Sequence, residues 1–481
     1  MESLDEIWKD DLLDRRLEAE DLLGYLESIA ARPVVREDGR AHVLAVDARY
    51  GEGKTYFLRR FVRHMAASDH PVAFVDAWVD DLENEPLVAL AATLELALEP
   101  YTQKHVKVRE RVTEFTRRAG KVSAIVAAGV AKRGLGLLIT QGAVAAIGNV
   151  LEIGTETVKD VNQDAAKTVG QAIVDDASAT IANVATPSMA KRITSFREGQ
   201  KAIEQMKAGL ADVVASLADL QIKTPIVIVI DELDRCRPTY AVKLLEEIKH
   251  LFDVAGVAFV LGLHGAQLTH SINAAYGVNF DSAAYLRRFF NRRYNLRKAS
   301  LLPIVQHLIS LLAVDTARLD HHSVQREDGH NPVSLDPASL IADYIRMYGL
   351  SARDAFAVME SLQTALALTK GARLQLGYLM PLLIAHHLGS DSPLEPTNIP
   401  MWQIARATDH FGREWQTLSV SEAIRSIHSA AHMDDRQLSD ALNNGDFGAR
   451  IVVDYGFRNG KKSYYLLQNY HELVRTVACF E

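Results

Sequence analysis

An α/β fold, with a parallel sheet flanked by helices, is what this sequence predicts, and three observations predict it. Short runs of β-branched and apolar residues recur at His42 to Asp47 (HVLAVD), Pro71 to Asp76 (PVAFVD), Ile226 to Asp231 (IVIVID) and Gly256 to Leu263 (GVAFVLGL). Each is bounded by turn residues, as fully buried strands are. Stretches with apolar residues at helical spacing separate these runs, and strand alternating with helix is the pattern of a parallel sheet. A glycine-bearing loop stands between the first strand and its helix.

Bulk properties narrow the class. A chain of 481 residues exceeds the size at which a single core keeps growing, so two or three domains are expected. The share of apolar residues, 48%, with 24% charged, describes a folded globular chain. A net charge of −8 with interspersed signs gives no support to nucleic acid as a partner, apart from a local basic patch. Two cysteines, Cys236 and Cys479, are too few for a disulfide framework. The charged start MESLDEIWKDDLLDR lacks the apolar stretch of a secretory signal, so a cytoplasmic protein is expected.

In chain order, residues 1–35 form an N-terminal helical segment, with Leu17, Leu22, Leu23, Leu26 and Ile29 as the buried face of a helix over Asp11 to Arg32. Residues 36–118 and 187–300 supply the sheet and its helices. Between them, 119–186 is an Ala/Gly-rich helical insertion. Within it, 122–151 is long enough to span a membrane, but Lys132, Arg133, Gln141 and Asn149 interrupt it and make insertion marginal. A pair of small-residue helices or an interaction arm is the better reading, with membrane contact the lesser one. Helical patterning dominates 301–481 until ARIVVDYGFRNGKKSYYLL, where apolar runs flank Asn459-Gly460. That dipeptide favours tight turns, and it predicts a terminal hairpin followed by a short final helix.

The chemistry concentrates at two places. Ala48-Arg49-Tyr50-Gly51-Glu52-Gly53-Lys54-Thr55 is a Walker A loop with Ala48 at its first glycine position. Gly51 and Gly53 let backbone N–H groups turn toward phosphate oxygens at a helix N-terminus. Lys54 is expected to reach the β- and γ-phosphates, Thr55 to give a hydroxyl to Mg²⁺, and Tyr50, Glu52 and Tyr56 to complete the binding loop. At the second place, the strand IVIVID delivers Asp231 and Glu232 to its carboxyl end, where ligands of open α/β sheets bind. Asp231 suits metal binding, and Glu232 suits the base that polarises the attacking water. A solvated helix start is the alternative for DELDR, weakened by the β-branched run before it. His264 and Cys236 read as packed side chains. His321-His322, His386-His387 and His410 show no ligand spacing, so no structural zinc is expected.

On these motifs the chain resembles the KAP family of P-loop NTPases, an additional-strand class related to AAA+ and STAND ATPases. Asp14 to Leu23 is similar to the family's N-terminal helix, which in related ATPases lies near the adenine. Tyr50 stands where the family usually has Trp, and Asp76-Ala77-Trp78 matches its Asn-Ala-Trp block. Asp231-Glu232-Leu233-Asp234-Arg235-Cys236 matches the extended Walker B, and Tyr285-Leu286-Arg287-Arg288 resembles its Tyr-Leu-x-Lys element. The resemblance implies ATP and Mg²⁺ as ligands, ATP hydrolysis, and a nucleotide-driven switch. It also implies a homo-oligomer or a protein effector as partner, and a role in bacterial antiviral defence. Arg288 would act on the γ-phosphate in cis or in trans. A solvated basic face shared with Arg287, Arg292 and Arg293, or pairing with acids, is the competing reading. A nucleotide-dependent scaffold or sensor with little turnover, with or without membrane association, is the alternative function.

Overall fold

The computed structural model describes residues 2–31, 41–83, 85–137, 189–251, 253–277, 279–321, 324–326, 335–393, 395–396, 402–404, 418–459 and 466–480. Two compact units emerge. The first comprises Met1–Ile7, Asp21–Asp47 and Leu58–Tyr294; the second comprises Trp8–Glu20, Ala48–Phe57 and Asn295–Glu481.

The four expected strands form as β1 (His42–Asp47), β2 (Val72–Asp76), β3 (Ile226–Asp231) and β4 (Val257–Leu263), joined by an edge strand β5 (Arg292–Asn295). Their order is β2-β3-β4-β1-β5. The pairs β1/β4, β3/β4 and β2/β3 are parallel. Every residue of β3 and β4 is buried, which is why both read as unbroken apolar runs rather than alternating ones. β5, with the sequence RRYN, is mostly exposed; an edge position asks for no apolar run.

The helices α1 (Arg15–Ala31), α2 (Lys54–Ala67), α3 (Pro86–Thr102), α4 (Val106–Leu137), α5 (Met189–Ala218), α6 (Pro238–Leu251), α7 (Gly265–Tyr276) and α8 (Ser282–Leu286) accompany the sheet. α4 runs through the expected boundary at 119. Its buried residues Val108, Val112, Phe115, Ala119 and Val122 repeat at alternating steps of four and three, the spacing of a coiled-coil seam. They face α5, which buries Met206, Leu210, Val213 and Leu217. Ion pairs Lys107–Asp219 at 2.9 Å and Arg111–Asp212 at 3.1 Å, with Arg118 donating to the Gln205 carbonyl at 2.8 Å, fix the two helices antiparallel. The insertion therefore leaves the core on a helical stem. Residues 138–188, and with them most of the apolar segment 122–151, lie outside the described residues. Among the described residues no helix is long and apolar enough to cross a membrane.

Beside the stem, α6 carries the buried Glu247. Burial raises its carboxyl from the ordinary 4.5 to about 7, with Glu85 adding to the rise and Lys243, 3.9 Å away, opposing it. Because the folded state disfavours the ionised form, stability falls as pH rises from 4.5 through 7 and levels off above. The shift corresponds to a loss on the order of 3 kcal/mol. Glu247→Gln should flatten that decline and melt higher than the wild type at pH 8. Parallel pH profiles in thermal melts of the two proteins would refute this.

The second unit is helical: α9 (Leu301–Leu311), α10 (Pro337–Met347), α11 (Ala352–Leu368), α12 (Leu376–His387), α13 (Val420–Ala431), α14 (Asp435–Asn443), α15 (Phe447–Asn459) and α16 (Tyr470–Val477). Its core gathers fully buried Tyr344, Tyr378, Tyr455 and Tyr470 among aliphatic side chains. The terminal hairpin is corrected here: its first arm is α15, a helix. Phe447, Gly448, Ala449, Val452 and Tyr455 are buried, and the last three, at intervals of three, share one helical face. Asp446 accepts from the Ala449 N–H at 2.8 Å at the helix start. Packing on that face outweighs the β propensity of IVV. Gly460 lies outside the described residues.

Candidate functional site

The phosphate-loop motif belongs to the second unit. Gly51 and Gly53 hold φ of 81° and 84°, a left-handed backbone that favours glycine. The space is equally exclusive. A Cβ on Gly51 would stand 2.3 Å from Ser351 Oγ, and one on Gly53 2.4 Å from Leu13 Cδ1. Lys54 opens α2; its side chain is buried, with Nζ 5.8 Å from the Tyr50 ring centroid. Thr55 follows, half-buried. Glu52 turns its carboxylate back to the Arg49 N–H at 2.7 Å. Tyr56 donates its hydroxyl to the Asp10 carbonyl at 2.8 Å, which commits that side chain to the N-terminal segment.

That segment braces the loop through a buried ion pair. Arg15 and Glu18, each 1% exposed, pair at the first turn of α1. Arg15 donates to the carbonyls of Glu52 at 2.8 Å and Arg297 at 2.7 Å, and Glu18 accepts from the Arg297 N–H at 2.7 Å. One guanidinium thus ties the loop, the N-terminal helix and the start of the helical region together. On the loop's other side is the first turn of α11, fixed by the Ser351/Asp354 capping box. The Cβ of Arg353 lies 3.1 Å from the position a Gly51 Cβ would take, so the first turn of α11 packs directly on the glycine turn.

The acidic motif belongs to the first unit, at the carboxyl edge of the sheet. Asp231 ends β3 fully buried. Gly262 of β4 makes room for it: a Cβ there would lie 2.6 Å from Asp231 Oδ1. On the other side of β4, Asp47 ends β1, accepts from the Gly265 N–H at 2.9 Å and pairs with Arg293 at 3.4 Å. Two carboxylates thus flank the end of β4, and Ala48 continues the chain directly from one of them. Glu232 adopts φ 62°, ψ 23°, a left-handed conformation that costs a non-glycine residue about 1–2 kcal/mol. Its N–H donates to Asp231 Oδ1 at 2.9 Å, and its carboxylate pairs with Arg235 at 2.7 Å.

The stretch after β2 holds this turn from outside. The Arg235 guanidinium stacks 5.5 Å from the Trp78 ring centroid. Arg237 donates from its backbone N–H and from Nε to the Asp81 carboxylate, both at 2.9 Å. Burial, reinforced by surrounding carboxylates, pushes the Cys236 thiol far above its usual range. It packs and is no nucleophile at neutral pH. Arg288 lies exposed in the turn that closes α8, its N–H donating to the Tyr285 carbonyl at 3.1 Å.

A family model described as the KAP family P-loop domain matches residues 15–321. The chain belongs to the KAP family. Its KAP domain is a P-loop nucleotide-binding domain, and the match opens at Arg15, the residue that braces the loop. No curated protein matches the chain. Among solved structures it is similar to PCH-2 of C. elegans at 12% identity, covering 80% of this chain and 72% of that one with a TM-score of 0.28. It is also similar to the ORC2 protein of Aeropyrum pernix in its ADPNP–ADP complexes, at 12% identity, 97% and 86% coverage and a TM-score of 0.30.

The glycine turn of the KAP domain leads into the N-terminus of α2, an arrangement that suits the phosphates of a nucleotide. Sequence reasoning passed over Arg15, Glu18, Asp47 and Arg353; for Arg293 it offered pairing with acids, and Asp47 is the acid. Only the Arg15/Glu18 pair left a local signal, opposite charges three apart at a helix start.

Proposed function

We propose that this chain binds ATP with Mg²⁺ and hydrolyses it, as a nucleotide-driven switch whose state controls self-assembly or a partner effector in bacterial antiviral defence. One observation carries the reading. Glu232, directly after the buried Asp231 at the end of β3, is held in a strained left-handed turn, and such strain concentrates at functional sites. In this reading Gly51, Gly53 and the N-terminus of α2 cradle phosphate oxygens, Lys54 offsets their charge, and Thr55 with Asp231 holds the metal. Mg²⁺ bound there supplies charge neutralisation on the triphosphate. Glu232 accepts the proton of the attacking water. ATP rather than GTP, and the defence role, rest on family likeness alone, and Arg288 remains a proposed charge-stabilising group.

A second reading, a nucleotide-dependent scaffold with little turnover, draws on the Glu232–Arg235 pair, which engages the carboxylate that hydrolysis needs. Lys54→Ala tests nucleotide binding. Loss of charge-assisted hydrogen bonds worth about 1.5–3 kcal/mol should weaken ATP affinity roughly 100-fold in a calorimetric titration. Unchanged affinity would refute both readings. Particle mass by light scattering should change on adding ATP and Mg²⁺ to the wild type and stay constant for Lys54→Ala. A wild-type mass indifferent to nucleotide would rule out switching through self-assembly.

A further inference from the structure

We propose that His428, His432 and His471 bind a divalent transition-metal ion of the zinc class and so clamp α13 to α16 within the helical unit. One ring nitrogen from each of the three lies within 4.8 Å of the others. Ring centroids are separated by 4.7, 5.1 and 5.3 Å. Three imidazoles on one tetrahedral ion, with metal–nitrogen bonds of about 2.0–2.1 Å, stand with centroids roughly 5 Å and nitrogens about 3.4 Å apart. His428 Nδ1 and His471 Nε2 are already 3.2 Å apart. The His428 and His471 nitrogens therefore already stand at the spacing an ion requires, with a His432 nitrogen within 4.8 Å of both.

Anchoring of the rings supports the same conclusion. His432 Nδ1 donates to the His428 carbonyl at 2.7 Å, which fixes its tautomer and leaves the lone pair on Nε2. A backbone carbonyl on the far ring nitrogen is the usual outer support of a metal-ligating histidine. His471 is hydrogen-bonded to the backbone of Asp391. The hydroxyl of buried Tyr378 sits 2.9 Å from His428 Nδ1 and 3.2 Å from His471 Nε2. Burial, with the neighbouring histidines, also lowers the pKa values of His428 and His471, which favours the neutral, ligating form. The elements joined are distant in sequence, since His428 and His432 lie at the end of α13 and His471 at the start of α16.

Cobalt serves as the probe. Tag-free, full-length protein, stripped with EDTA and free of nucleotide, is titrated with Co²⁺ and then with Zn²⁺. The expected result is one equivalent of cobalt giving the intense visible bands of a tetrahedral site, displaced by zinc, with a higher melting temperature in the metal-bound state. His432 is exposed, so His432→Ala should keep the fold. It should lose at least the 10–100-fold in affinity that removal of an outer partner costs, along with the tetrahedral spectrum. Absence of a one-equivalent tetrahedral spectrum in the wild type would overturn the proposal. Retention of the same spectrum and affinity by folded His432→Ala would do so as well.

Discussion

Glu232→Gln is expected to lower ATP turnover by two to four orders of magnitude, the contribution a positioned general base makes, while ATP affinity stays within a few-fold. The substitution keeps the size of the side chain and its place after Asp231, and removes only the capacity to take a proton. The backbone bond from the residue 232 N–H to Asp231 Oδ1 does not involve the side chain, so the turn should survive. The partner Arg235 complicates the step usefully. Its guanidinium lies 2.7 Å from the carboxylate and engages it for as long as it stays there. Arg235→Ala should therefore leave hydrolysis intact or raise it if the pair holds Glu232 back. Phosphate release equal in wild type and Glu232→Gln would assign the turnover to a contaminant.

The largest structural effect is expected at Arg15. Arg15→Ala leaves Glu18 buried as an anion without its guanidinium, and breaking a buried pair from one side costs about 3–5 kcal/mol. It also removes the donors to the Glu52 and Arg297 carbonyls. Two losses are therefore mixed in one variant, and the double substitution Arg15→Met with Glu18→Leu separates them. An apolar pair of similar volume can be neutral for stability, yet it cannot reach the loop carbonyl. The single variant should unfold at lower denaturant. The double variant should recover most of that stability and still bind nucleotide more weakly than the wild type. A single variant as stable as the wild type in urea would show that the pair is not what holds the segment.

Legibility in the sequence followed the range of the interactions. β3 and β4 were readable because burial on both faces leaves unbroken apolar runs, and the loop from Gly51 to Thr55 because its constraints act between neighbours. The carboxyl-edge pair Asp47 and Arg293 was hidden, since nothing local links residues so far apart in the chain. Arg353 was hidden for the same reason: only the fold of the second unit carries the first turn of α11 to Gly51. α15 failed differently. IVV inside ARIVVDYGF carries a strand signal and a helical one together, and the side with the larger buried face prevailed. Two of the clustered histidines were adjacent at one helix turn, but the third, 43 residues on from His428, needed the fold.

The stem of α4 and α5 has a mechanical consequence. α4 alone is 32 residues, roughly 48 Å at 1.5 Å per residue. A tilt of about 5° at its root would sweep its far end through roughly 4 Å at that length. Small rearrangements where α3 and α4 meet are thereby geared up into displacements the size of a side chain at the far end of α4.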